Sequence, residues 1–96
     1  MLKIQSPWGV IVPIPQTTNG APFFIYLVPI ATYVSRKIIL SSFIDKTMRP
    51  ILRWRFAIDL DIVSDFDSAC EALTDAVLWL EEAEHLPMQT YHVVQD

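Results

Sequence analysis

From Leu52 to Ile62 every even position is apolar: Leu52, Trp54, Phe56, Ile58, Leu60 and Ile62. Arg53, Arg55, Ala57, Asp59 and Asp61 fall between them. A period of two sustained over that length marks an antiparallel strand with one face on a core and the other in water. The pattern predicts a strand over residues 51–63, about 40 Å long at roughly 3.3 Å per residue, with a bulge or bend along it. A chain holding such a strand must supply neighbours for its edges and an apolar layer for its even face.

The first half supplies candidate neighbours. Trp8 to Ile14 is β-branched and marked by Pro13, which suits an edge or bulged strand. Asn19-Gly20 is a turn dipeptide and Phe23 to Val28 follows it, so residues 8–28 read as a hairpin with a loop longer than two residues. Ile38 to Ile44 is a third strand, Asp45 to Pro50 a polar turn, and Tyr91 to Val94 a short last strand. The covering layer is a helix. Asp67 or Ser68 caps it, Ser68 to Glu71 has capping-box spacing, and Pro87 ends it near His85 or Leu86. At 100° per residue Phe66, Ala69, Cys70, Leu73, Ala76, Val77 and Leu80 share its apolar face. The expected fold is α+β, with an antiparallel sheet of four to five strands and one amphipathic acidic helix packed on one face. Residues 1–96 form a single domain.

Composition narrows the function. Apolar residues are 52% and charged residues 19% of the chain, against about 25% charged on average, which excludes intrinsic disorder. Two glycines leave no glycine-rich phosphate loop, and one cysteine leaves neither a disulfide framework nor a zinc ribbon. The uncharged run from Ile4 to Ser35 is broken by Pro7, Pro13, Pro15, Pro22 and Pro29, so it reads as strands and not as a membrane span. The start of the chain lacks the pattern of a signal peptide. The expectation is a cytoplasmic protein with no membrane partner.

Charge is sorted along the chain. Residues 1–58 hold all seven basic residues and one acid, a net +6, whereas residues 59–96 hold ten acids and no lysine or arginine. Such asymmetry points to an interaction surface, or to two halves that neutralise each other on packing.

Candidate chemistry is sparse. Cys70 is the only thiol, and it reads as a buried structural cysteine because it falls on the apolar stripe among acids that raise a thiol pKa. Glu81, Glu82 and His85 share helix spacing, but no second His or Cys completes a zinc set, so His85 reads as a surface residue at the helix end and no metal or cofactor is expected. Asp59 and Asp61, projecting from the same strand face about 6–7 Å apart, fit the separation of paired catalytic carboxylates but also suit an ordinary wet face. Arg53-Trp54-Arg55 looks like a nucleic-acid stripe, yet alternation turns the tryptophan away from the arginines, and the acidic second half repels phosphate. Neither an enzyme nor a direct nucleic-acid binder is expected.

The helix carries the informative irregularity. Leu78 lies well off the apolar stripe, amid Glu71, Asp75 and Glu82, with Trp79 on the flank. An apolar anchor inside a charged rim is the pattern of a protein interface, so Glu71, Asp75, Leu78, Trp79 and Glu82 are the candidate partner-binding residues. The alternating strand followed by Asp65-Phe-Asp-Ser68 opening one acidic helix, over residues 51–86, resembles small phage-encoded inhibitor proteins of the anti-CRISPR kind. That resemblance implies a compact non-enzymatic inhibitor that blocks a basic, nucleic-acid-handling partner surface by presenting carboxylates. The alternative is a self-assembling structural or accessory subunit, such as a homodimer, that uses sheet edges or an uncovered sheet face.

Overall fold

Five consecutive strands form an antiparallel meander, and a helix and a second, smaller sheet close over one face of it. The computed structural model describes residues 1–18, 21–47, 50–59 and 61–95, apart from the side chains of Ala21 and residues 61–64. Along the chain run β1 (Leu2–Ser6), β2 (Gly9–Ile11), β3 (Ile14–Thr18), β4 (Ala21–Ala31), β5 (Val34–Asp45), β6 (Ile51–Ile58), β7 (Asp61–Phe66), α1 (Ala69–Ala83) and β8 (His92–Gln95). The large sheet has the order β3-β4-β5-β6-β7 and the small one β2-β1-β8. This is the expected α+β class, with a second sheet added.

The even face of the large sheet is the core face. Tyr26, Val28 and Ile30 of β4, Ile38 and Leu40 of β5, and Phe56 and Ile58 of β6 are buried there. Helix α1 packs across β5, β6 and β7 and also meets β8. It contributes Ala72, Leu73, Ala76, Val77 and Leu80, a stripe at the 3–4 spacing of one helix face. Ile4 of β1 and Tyr91 complete the cluster. Two buried tyrosines tie the small sheet to the large one. The Tyr26 hydroxyl donates to the Leu2 carbonyl at 2.8 Å, and the Tyr91 hydroxyl donates at 2.6 Å to the Pro29 carbonyl, where the β4–β5 register shifts. Burial pushes the Tyr26 pKa up to about 12 and raises that of Tyr91, the latter with help from the Glu81 and Glu84 carboxylates.

Several expectations need correction. The long strand over 51–63 is two strands: β6 and β7 pair antiparallel, with Ile58 opposite Asp61 and Phe56 opposite Val63. The chain turns at Asp59, whose φ of +57° is one that aspartate tolerates better than most residues. The Asp59 amide donates to the Lys37 carbonyl, which pins the turn to β5. Leu60 lies outside the described residues, as do the side chains of Asp61 and Ile62. Leu52, expected in the core, is 52% exposed, and Trp54 is half-buried. The physical reason is reach: a fifteen-residue helix is about 22 Å long, whereas β5 extends about 40 Å, so the β5–β6 hairpin runs past its cover.

Trp8 to Ile14 is not one strand either. Buried Pro13 separates β2 from β3, and the two lie in different sheets. The pair Thr18–Ala21 closes the β3–β4 ladder with two residues between, not a longer loop; those two, Asn19 and Gly20, lie outside the described residues. At the β1–β2 turn Gly9 has a φ of +121°, a conformation that L side chains rarely adopt. The Ser6 hydroxyl donates there to the Gly9 carbonyl and accepts from the Trp8 amide.

Candidate functional site

Ser68 begins the helix in extended conformation, and its hydroxyl accepts the Glu71 amide at 3.1 Å. This is the capping half of the capping box; among the described residues the Ser68 amide donates no reciprocal bond to the Glu71 carboxylate. The cap fixes the first turn, and the helical period then sets the direction of each later side chain. Glu71, Asp75, Leu78 and Glu82 fall within about 60° of one another, opposite the buried stripe. All are exposed, Leu78 by 45%. The structure therefore brings four of the five candidate partner-binding residues onto one face. Trp79 is set apart: it is half-buried and packs against the core cluster.

Electrostatics separate this face from the rest of the molecule. Arg36 binds both Asp59, at 2.8 Å, and Glu84. Arg53 lies 3.4 Å from Asp67, and Arg55 lies 3.4 Å from Asp65. Glu81 is buried, and its Oε2 accepts the Tyr91 amide at 2.9 Å. The two halves of the chain do neutralise each other, but only in part. Glu71, Asp75 and Glu82 have no ion-pair partner among the described residues. Leu78 sits within that uncompensated group.

The helix C-terminus extends the surface. Its end is a Schellman arrangement: the Leu86 amide donates to the Glu81 carbonyl at 2.8 Å and the His85 amide to the Glu82 carbonyl at 3.2 Å, with His85 left-handed at φ +56°. This turn directs Met88, 82% exposed, back beside Leu78. Leu78, Glu82, His85, Leu86 and Met88 line a shallow concavity of about 510 Å³, with buried Glu81 at its base. Sequence reasoning missed Leu86 and Met88 as parts of this surface. The helix, expected to end near His85 or Leu86, ends at Ala83, and left-handed His85, not Pro87, turns the chain there.

The groups considered for chemistry are not assembled. Cys70, expected to be buried, is exposed. It lies in the first turn at the margin of the stripe, in a depression with Phe66, Glu71, Thr74 and Asp75. Asp59 sits in the β6–β7 turn and Asp61 in β7, so the shared strand face that made them a carboxylate pair does not exist. His85 is exposed at the helix end, as expected, and His92 is exposed in β8. Among the described residues no three His, Cys, Asp or Glu side chains are grouped to hold a metal ion. No helix among them is long and apolar enough to cross a membrane. Compared with protein families, with curated proteins and with solved structures, the chain matches none.

Proposed function

We propose that this protein is a non-enzymatic binding module, a small acidic inhibitor that acts in the cytoplasm. Its helix face of Glu71, Asp75, Leu78 and Glu82 docks on a basic surface of a nucleic-acid-handling protein and blocks it. One observation carries the reading: the other described carboxylates of the second half that meet a cation are satisfied within the fold, while these three are left uncompensated around an exposed leucine. Unpaired carboxylates attract a cationic partner over about 10 Å at 0.1 M salt, and a leucine desolvated on contact supplies the anchor. The same carboxylates repel phosphate, so the partner is a protein surface that ordinarily binds nucleic acid, and not the nucleic acid. Exposed Cys70 without a disulfide partner suits a reducing compartment.

The test is competition. A panel of basic nucleic-acid-binding proteins, CRISPR effector nucleases among them, is assayed for loss of nucleic-acid binding as this protein is added. Displacement by the wild type and none by the folded triple variant Glu71→Lys, Asp75→Lys, Glu82→Lys supports the reading. Equal displacement by both means that the helix face is a solvated surface only.

A further inference from the structure

Among the described residues Glu81 is the only buried carboxylate, 3% exposed, and no lysine, arginine or histidine forms an ion pair with it. A buried charge is costly unless it is paired. Its Oε2 accepts the Tyr91 amide at 2.9 Å, while its Oε1 accepts no hydrogen bond among the described residues. That oxygen is not sealed from solvent: the only sealed, unbonded side-chain polar atoms among the described residues are the Nε atoms of Arg53 and Arg55. Tyr91, which takes Oε2, borders a depression on one flank of Glu81, and on the other flank lies the concavity of about 510 Å³. We propose that this concavity is a pocket for one arginine side chain of the partner protein, with the guanidinium bound at the free oxygen of Glu81. The pocket rests on the reading of the helix face as a docking surface for a basic protein, and it names what enters.

The ligand follows from charge and from the walls. The last turn of the helix carries no basic residue, so the partial negative charge of the helix end is unmatched there. Arg36 takes Glu84 but leaves Glu81 and Glu82, which at 100° per residue project on either side of Leu78. The walls are apolar: Leu78 and Met88 are exposed and Leu86 is half-buried, so a long aliphatic stem is covered while its charged head meets carboxylate. The volume falls within the roughly 300–1,000 Å³ of small-ligand clefts. Arginine suits such a site better than lysine. Its guanidinium is planar and more weakly hydrated than an ammonium, so it loses less on desolvation against apolar walls, and its fork can bridge two acceptors.

Titration of the isotope-labelled protein with N-acetyl-arginine amide, followed by nuclear magnetic resonance, is the test, with the lysine and the neutral citrulline counterparts beside it. The amide signals of Glu81, Glu82, Leu86 and Met88 should shift and saturate with the arginine compound; lysine should bind more weakly and citrulline not at all. Glu81→Gln keeps an acceptor for the Tyr91 amide but removes the charge, and should weaken arginine binding about tenfold. If that variant fails to fold, Met88→Lys, at a side chain 82% exposed, brings a cation to the mouth of the pocket and should weaken arginine binding likewise. The double variant Glu71→Lys, Asp75→Lys, on the same helix face but outside the concavity, should retain it. Shifts that do not saturate, equal binding of lysine or citrulline, or a folded Glu81→Gln of unchanged affinity overturns the proposal. So does loss of binding in the double variant, which would make the attraction one of diffuse charge. Arginine binding without displacement in the competition assay upholds the pocket and overturns the inhibitor reading; displacement without arginine binding does the reverse.

Discussion

At the scale of the residue, His85 closes the helix in a conformation that disfavours its own side chain. A left-handed backbone costs a residue with a Cβ roughly 1–2 kcal/mol, and the Schellman end demands it there. His85→Gly should therefore raise stability by about 0.5–1 kcal/mol, after the greater unfolded-state freedom of glycine is counted, read as a higher urea midpoint with an unchanged slope. Tyr26 presents the opposite case, a buried group whose neutral form the fold requires. Its pKa is raised from the usual 10 to about 12 by burial, so its contribution is fully present below pH 10 and is lost as pH rises from there through 12. Tyr26→Phe should lose about 0.5–1.5 kcal/mol at neutral pH with the hydrogen bond to the Leu2 carbonyl, and its stability should fall less steeply between pH 10 and 12. Denaturant titrations at stepped pH decide it; parallel curves for both proteins would mean that Tyr26 does not control the alkaline limb.

At the scale of the element, the β6–β7 hairpin shows what periodicity detects and what it cannot. Within β6 the even positions point to the core, and Phe56 is fully buried and stacked on Phe66 at 5.8 Å between centroids. Phe56→Ala should cost about 3–5 kcal/mol, whereas Leu52→Ala, on the same face but beyond the helix, should cost under about 1 kcal/mol. Thermal or chemical unfolding measures both, and similar losses would contradict the placement of the helix over only part of the sheet. The helix was legible because its signals are local: a serine cap, a 3–4 stripe and a proline stop. The reversal at Asp59 was not, because Asp-Leu is not a turn dipeptide and apolar–polar alternation runs through it unbroken. A register shift between Arg55 and Phe56 adds a residue and restores the parity in which Trp54 faces Phe66. Strand β1 was hidden for another reason. It is five residues with a lysine near its centre, and it pairs along four of them with β8, a strand distant in sequence. Cys70 was misplaced because a helical wheel knows angles but not where the opposing layer ends.

At the scale of the whole molecule, the fold presents two surfaces of opposite character: an uncompensated acidic face with a leucine at its centre, and a sheet face away from the helix where Arg53 and Arg55 pair with Asp67 and Asp65 and exposed Lys37 stands beside an apolar row. The surfaces should respond differently to solvent. Once a partner of the helix face is in hand, its association rate should fall steeply as salt is raised, and Leu78→Ala should chiefly speed dissociation. Stopped-flow association and surface-plasmon dissociation separate the two; an unchanged dissociation rate would remove Leu78 from the contact. The pairing of β1 with β8 carries a consequence of its own, in the order of assembly. Each hairpin of the meander joins strands adjacent in sequence and can close as soon as it is synthesised, whereas Leu2 meets Gln95 across nearly the whole chain. Closing so long a loop is entropically unfavourable until other contacts have shortened it. Of the strands of this fold, β1 is thus the one that must wait longest for its second neighbour, and the Leu2 carbonyl, held by Tyr26 in the finished fold, is where the early and late halves of folding are joined.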